Sequence, residues 1–304
     1  MPALSIIIAV YNDWTGLNFC LDSISQQDSA TDFEIIVVDD GSEDSAPEEI
    51  RKWITILPLR LIRQSHKGIS AARNCGIRAS KGPILLFVDA DCRLGPNCLP
   101  ALILTIGASP LHNCFQLSLN GICSTLAGRT EHLRLTTLQG QLLQPDGRIR
   151  YVNTAGFAIR RSRVPTDAAL FDTVSRRGED TILLADLIER DALPLFVDHA
   201  IVRHEVPSPL SKCLRKDIRS AFLEGPTYAR IAARGTRIRM NNRQRWRMLH
   251  SMWRRSKQPS IGRPACFALI LRQSLSRLTS ICYRMLHWGS TAQTKSMAAS
   301  NGNL

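Results

Sequence analysis

The sequence has no C-x-x-C pair, no glycine fingerprint behind its first strand, and no uncharged apolar run long enough to cross a bilayer. Its nine cysteines are odd in number, and residues such as Cys20, Cys75 and Cys114 lie inside apolar periodic stretches. They read as buried thiols of a reducing compartment, not as a disulfide framework or a zinc site. AVYNDWTG, after the first strand, lacks the glycines of a dinucleotide site, which excludes an oxidoreductase of that type. The opening LSIIIAVYN carries no basic leader, long apolar run or cleavage site, so a secretory signal is not expected. Acids are scarce late in the chain: residues 203–304 hold 20 Lys or Arg against only Glu205, Asp217 and Glu224. The first 202 residues hold 19 basic and 23 acidic residues, so the net charge of +13 belongs to the tail. That asymmetry suits an anionic partner, whether a membrane surface, nucleic acid or phosphate.

What is present is enough for a sizeable core. With 304 residues and 44% hydrophobic content, the chain can form one large domain, or one domain with an appendage. Apolar runs of strand length alternate with helical patterns over the first hundred residues. SIIIAV (5–10), FEIIVV (33–38), LRLIRQ (59–64) and ILLFV (84–88) read as strands. Trp14, Leu17, Leu21 and Ile24 repeat at helical spacing, and Ser45 to Glu48, with Pro47 in the first turn, marks a second helix start. GISAARNCGIRASKG (68–82) reads as a small-residue helix closed by Gly82. Strands apolar on every residue and separated by helices predict a mostly parallel α/β sheet covered on both faces. Further on, the pattern predicts a strand at FQLSL, a helix over Thr130–Leu143, a strand over 151–162, a helix over 178–191 and a strand over 193–207. Basic helices come after them.

The polar signals gather where ligands bind in such sheets, beyond the carboxyl ends of the strands. Strand one runs into Tyr11 and Asn12, strand two into Asp39 and Asp40, and strand four into Asp89 and Asp91. Helix capping could account for any one of these; three in succession point to a cleft. Two carboxylates two positions apart suit a hard divalent cation, which takes oxygen ligands and commonly bridges protein to substrate phosphates.

In order and spacing, SIIIAVYN, EIIVVDDGSEDS, HKGISAARNCGI, ILLFVDADCRL and the later GED resemble the family 2 glycosyltransferases of GT-A fold, over roughly residues 3 to 225. The resemblance implies a nucleotide-diphospho-sugar donor, with a UDP-sugar favoured, a divalent Mn²⁺ or Mg²⁺, and inversion at the anomeric carbon. It places Tyr11 against the nucleoside base and one of Asp39 and Asp40, with Asp40 preferred, as the acceptor from that base. Arg73 would stand beside the nucleoside, with Gly68 opening the loop before it. Asp89 would lie near the ribose and the metal, Asp91 and His204 would ligate the metal, and Asp180 would be the catalytic base. Helix-dipole compensation is the other reading of Glu179 and Asp180 in a first helical turn. The expected domains are a catalytic unit over 1–225 and a basic, mainly helical extension over 226–304, disordered at its end.

Arg160 and Arg161 could meet an anionic part of a substrate or simply close a strand. NRQRW (242–246) approaches the Q-x-x-R-W signature of processive synthases, but lies 62 residues beyond Asp180 and reads as coincidence. Transfer of single sugars, for cell-envelope polysaccharide or glycolipid synthesis, is expected. Residues 265–289 are interrupted by Arg272, Arg277 and Arg284, short of the ~20 uncharged residues a span needs. Their alternating apolar and basic faces suit either a helix lying on anionic lipid or one packed on the catalytic unit. A cytoplasmic protein, or one peripheral on the cytoplasmic face of the inner membrane, is expected on these grounds. The rival class is a nucleic-acid- or phosphate-binding protein using RGTRIRMNNRQRWRM (234–248).

Overall fold

The computed structural model describes residues 2–27, 32–165, 169–175, 177–205, 209–236, 238, 240 and 242–279. Four expected strands form one parallel block: β1 (Leu4–Val10), β2 (Phe33–Asp39), β3 (Leu59–Arg63) and β4 (Ile84–Asp89). The helices α1 (Trp14–Ser25), α2 (Glu48–Ile56) and α3 (Ile69–Ala79) connect them. Beyond β4 come β5 (Cys92–Leu94), α4 (Cys98–Ala108), β6 (Cys114–Gly121), α5 (Leu126–Leu142) and β7 (Phe157–Arg160). Next are α6 (Glu179–Glu189), β8 (Leu195–His204), α7 (Leu210–Leu223), α8 (Gly225–Ala233), α9 (Asn242–Arg255) and a last described helix over 263–279.

The strands form one eight-stranded sheet in the order β3-β2-β1-β4-β7-β6-β8-β5. It is more mixed than expected. β7 runs antiparallel between β4 and β6, and β5 antiparallel to β8, while β6 and β8 are parallel. Side-chain alternation gives each face its own core. Leu4, Ile6, Ile8 and Val10 of β1 turn toward α1, α2 and α4, whereas Ile7 joins Phe87, Phe157 and Leu183 on the face of α3 and α6. Gly76 lets α3 lie directly on the sheet, because a Cβ there would meet Ile7 Cγ2 at 2.4 Å.

Several elements differ from expectation for local reasons. α2 starts at Glu48 with Pro47 in the cap position and no side-chain cap. α5 begins four residues earlier than Thr130, because the Thr125 hydroxyl caps it by accepting from Gly128 N. The stretch 151–162 is not one strand. Asn153 accepts from Ala155 N through its own side chain, and Thr154–Gly156 turn as a 3-10 helix before β7 begins. Leu133, Met248, Met252, Cys266 and Leu269 make a separate small core joining α5, α9 and the helix over 263–279. The basic helices are thus packed on the α/β body. Among the described residues no helix is long and apolar enough to cross a membrane.

Candidate active site

A cleft of about 950 Å³ opens at the carboxyl ends of the parallel strands, walled on the other side by α5, α7 and the helix over 263–279. Tyr11, Arg73, Asp89, Asp91 and Asp180 line it, together with Glu131, Arg134, Tyr151, Lys216 and Arg272. Asp39, Asp40, Gly68 and His204 are not on its lining; they stand behind it and hold lining elements in place.

Asp39 closes β2 and accepts from Ser42 N at 2.8 Å, with Arg63 3.4 Å from its other oxygen. Both oxygens of buried Asp40 are taken up by the next loop. Gln64 Nε2 and Lys67 N donate to Oδ1 at 2.7 and 2.9 Å, and Gly68 N donates to Oδ2 at 2.8 Å. His66 Nδ1 lies 2.9 Å from the same carboxylate, and the His66 ring stacks on Tyr11 with centroids 4.2 Å apart. Asp40 therefore fixes the loop that carries an aromatic pair to the rim. Gly68 has φ 90°, a left-handed value suited to glycine, as it leads into α3.

Arg73, buried on α3, bridges two lining acids: it donates to Asp89 at 2.7 Å and to Glu179 at 3.0 Å, and lies 5.5 Å from the Phe171 ring. Its neighbour Asn74 anchors the Phe171 backbone with two hydrogen bonds, so AARN ties β4 to the start of α6. The cation is held above the ordinary arginine range because Asp89, Asp180 and Glu179 outweigh its desolvation.

Asp180 is the titratable group best placed for proton transfer. Gly178, with φ 88°, precedes α6 against Thr227, and Asp180 sits in the first helical turn. The Thr154 hydroxyl donates to Asp180 Oδ1 at 2.7 Å. Burial pushes the Asp180 carboxyl up to about 7, against the lowering effects of Arg73 and Thr154. Thr154 owes its position to buried Gln116 on β6, which accepts from Asn153 N at 2.8 Å and donates to Gly156 O at 2.9 Å.

Asp91 belongs to a different network. The pairing of β5 with β8 sets Cys92 opposite His204, and His204 Nε2 comes within 3.1 Å of Asp91 Oδ2. Glu131 of α5 lies 3.5 Å from the other ring nitrogen and is itself gripped by Arg134. Burial disfavours the charged His204 ring, but Asp91 and Glu131 outweigh it and raise it to about 10. Burial likewise opposes ionisation of Asp91, and the His204 contact still holds its carboxyl below the usual range. Asp91, Cys92 and His204 bring potential ligand atoms within 4.8 Å of one another. Cys92 is the poor donor of the three, because burial keeps its thiol well above the ordinary range. If a bound cation displaced the extra proton of His204, an imidazole and the Asp91 carboxylate would remain, a donor pair that fits Mn²⁺ and, through its oxygen, Mg²⁺.

A family profile described as glycosyl transferase family 2 matches residues 5–164, more than half of the chain. The chain belongs to glycosyl transferase family 2. Within the family it is 39% identical over 95 residues to the glycosyltransferase AglE of Haloferax volcanii, covering 30% of this chain and 31% of that protein. It is 30% identical over 179 residues to validoxylamine A glucosyltransferase of Streptomyces hygroscopicus, covering 58% of this chain and 41% of that one. The chain thus matches well under half the length of these curated relatives. Mannosyltransferase PcManGT from Pyrobaculum calidifontis, solved with GDP-Man and Mn²⁺, superposes with TM-score 0.56 at 17% identity, covering 100% of this chain and 81% of that one. Staphylococcus aureus TarS 1-349, solved with UDP-GlcNAc, gives TM-score 0.53 at 16% identity, covering 96% of this chain and 92% of that one. At such identity the likeness shows the fold, which is GT-A.

In this family 2 chain, Glu131, Thr154 and Gln116 were not singled out from sequence, since each looks like an ordinary residue of a helix, a loop and a strand respectively. The Asx-turn pattern at Asn153-Thr154 was the one local signal available. Arg160 and Arg161 are not at the cleft. Arg160 donates to Ile106 O and His112 O, and Arg161 to Ile77 O, Gly82 O and the Ser80 hydroxyl, closing the ends of α4 and α3. Trp246 of NRQRW is 73% exposed and does not line the cleft.

Proposed function

We propose that the protein is a metal-dependent, inverting glycosyltransferase that moves one sugar from a nucleotide-diphospho-sugar to an acceptor hydroxyl. The observation that carries this reading is Asp180: a carboxyl in the cleft, oriented by Thr154, whose affinity for a proton is tuned to neutral pH. A base of that kind is most effective when its pKa lies near the working pH. Asp180 takes the proton of the acceptor hydroxyl as that oxygen bonds to the anomeric carbon. The bond from that carbon to the diphosphate breaks in line, and its electron pair leaves on the phosphate oxygen. A single in-line displacement inverts the centre.

Tyr11, stacked on His66, offers its ring to the nucleoside base, and Asp39 and Asp40 shape that end of the pocket through the 64–68 loop. Arg73 positions Asp89 toward the ribose and, through Glu179, sets the helix that carries Asp180. Asp91 and His204 would hold Mn²⁺ or Mg²⁺, which when bound supplies positive charge against the leaving diphosphate. Residues 1–225 act as the catalytic unit, and the basic helices beyond complete its acceptor side. The donors bound by PcManGT and TarS support a nucleotide sugar, with UDP-sugars the first to test. Cell-envelope polysaccharide or glycolipid synthesis is the setting proposed.

The test is transfer or hydrolysis with UDP-, GDP- and TDP-sugars in the presence of Mn²⁺ or Mg²⁺. At least one donor should turn over, and Asp91→Ala should lose the metal response. Failure of every donor to bind or react would overturn the reading.

A further inference from the structure

The helix over 263–279 has two faces with opposite characters. Ala265, Cys266 and Leu269 are buried against α5 and α9, and Ala268 and Arg272 are buried as well, Arg272 pairing with Asp217 of α7. Leu269, Arg272, Gln273 and Ser276 of that same side line the cleft. On the opposite side, Phe267, Ile270, Leu271 and Leu278 recur at i, i+3, i+4 and i+11, the spacing of a single stripe. Phe267 is 60% exposed, Leu271 54% and Leu278 57%.

The stripe continues onto α9. Trp253 packs edge-on against Phe267 with centroids 6.2 Å apart, and it shares a helix face with Trp246 seven residues earlier. Cations frame this surface. Arg247, Arg254 and Lys257 are exposed, and the Arg263 guanidinium lies 3.4 Å from the Trp253 ring centroid. From 225 to 279 the sequence has thirteen Lys or Arg and no acid.

We propose that α9 and the helix over 263–279 form a docking face for an anionic lipid surface, inserting this apolar stripe while the arginines meet lipid phosphates. The chemistry separates this occupant from two others. A nucleic-acid backbone would engage the cations but leave Ile270, Leu271 and Leu278 with nothing apolar to cover them. A second copy would bring one acid-free cationic face against another. An anionic bilayer satisfies both parts, offering phosphates at its surface and hydrocarbon beneath. Aromatic rings at the boundary, such as Trp246 and Trp253, sit at headgroup level. Since the other face of the helix walls the cleft, docking places the acceptor side beside the bilayer, where a lipid-linked hydroxyl would be presented. That last step rests on the transferase reading; the surface itself does not.

The experiment is sedimentation of the full chain with vesicles of phosphatidylcholine alone, or mixed equally with phosphatidylglycerol, alongside tryptophan emission. The chain should sediment with the mixed vesicles and not with the neutral ones, and its emission should shift to the blue. The double variant Phe267→Glu, Leu271→Glu should partition roughly tenfold more weakly or worse. Both sites are exposed, so its thermal midpoint should hold, as should its binding of UDP with Mn²⁺. Wild-type protein left in the supernatant, or a double variant that sediments like wild type, would overturn the proposal. So would an oligonucleotide displacing the chain from vesicles, or self-association that the double variant abolishes. An Asp91→Ala chain that still sediments, while no donor reacts with wild type, would sink the transferase reading and leave the docking face standing.

Discussion

The two walls of the cleft place their charges by different means. On the sheet side, Asp89 and Asp91 sit where main-chain hydrogen bonds put them, at a strand end and at the start of a paired edge strand. On the helical side, Glu131, Arg134, Asp217 and Arg272 are placed by ion pairs between side chains: Glu131 with Arg134, and Arg272 with Asp217. A wall fixed by backbone pairing presents its groups with little reorganisation, the condition for electrostatic stabilisation of a transition state. The contrast also divides the D-x-D pair itself. Asp89 joins the Arg73–Glu179 network that leads to Asp180, and Asp91 joins the His204–Glu131 network of the opposite wall.

The contrast can be broken at several points. The largest effect is expected at Asp180→Asn, where loss of the proposed base should lower kcat by ~10²–10⁴-fold. The thermal midpoint at pH 8 should not fall. A carboxyl raised above its unfolded value weakens the fold as pH climbs from the ordinary carboxylate range toward about 7, and a neutral amide is free of that cost. Next is Arg73→Met, which strands Asp89 and Glu179 and should cost about 3 kcal/mol in urea unfolding, the low end for a broken buried pair. The low end applies because the Asp89 side chain is 31% exposed.

A test on the helical wall is Glu131→Ala. If Glu131 orients His204, Mn²⁺ affinity measured by calorimetry should weaken ~10–100-fold, and Glu131→Gln should recover part of it. An unchanged affinity would leave Glu131 as a partner of Arg134 alone. The smallest effect is expected at Thr154→Val. Removing a hydroxyl that holds Asp180 down should move the acid limb of the pH–rate profile upward by roughly one unit, with the high-pH plateau kept. A limb that stays in place would mean that Asp180 is not the titrating base.

Much of the sheet wall was legible in the sequence because its signals are local. Ile84 to Val88 can only be a buried strand, so the acids just beyond Val88 must lie at a sheet end. The helical wall was not legible in this way. Glu131 reads as a surface position in a polar helix, yet it is buried, with His204, 73 positions later in the chain, 3.5 Å away. β5 is three residues long, too short for any periodicity to show. The strand expected over 151–162 failed at Asn153, whose side chain offered the backbone a turn instead of a ladder. The tail gave two readings, packed helix or lipid-facing helix. The described part, 263–279, packs through one face and leaves an apolar stripe on the other, while 280–289 lie outside the described residues.

The Asp91–His204 contact joins residues 113 positions apart in the chain, yet it is set by local strand pairing, with Cys92 of β5 on one side of His204 and Gly121 of β6 on the other. Apart from β6 and α5, which contact His204 directly, little in that arrangement depends on the length of chain between β5 and β8. Loops in the interval can lengthen, shorten or be replaced by whole inserted segments without moving the imidazole. A deletion of one residue inside Val202–Arg203 is another matter, because strand side chains alternate and the ring would turn to the opposite face. The aim of the imidazole at Asp91 is therefore set by parity along the β8 ribbon rather than by distance along the chain.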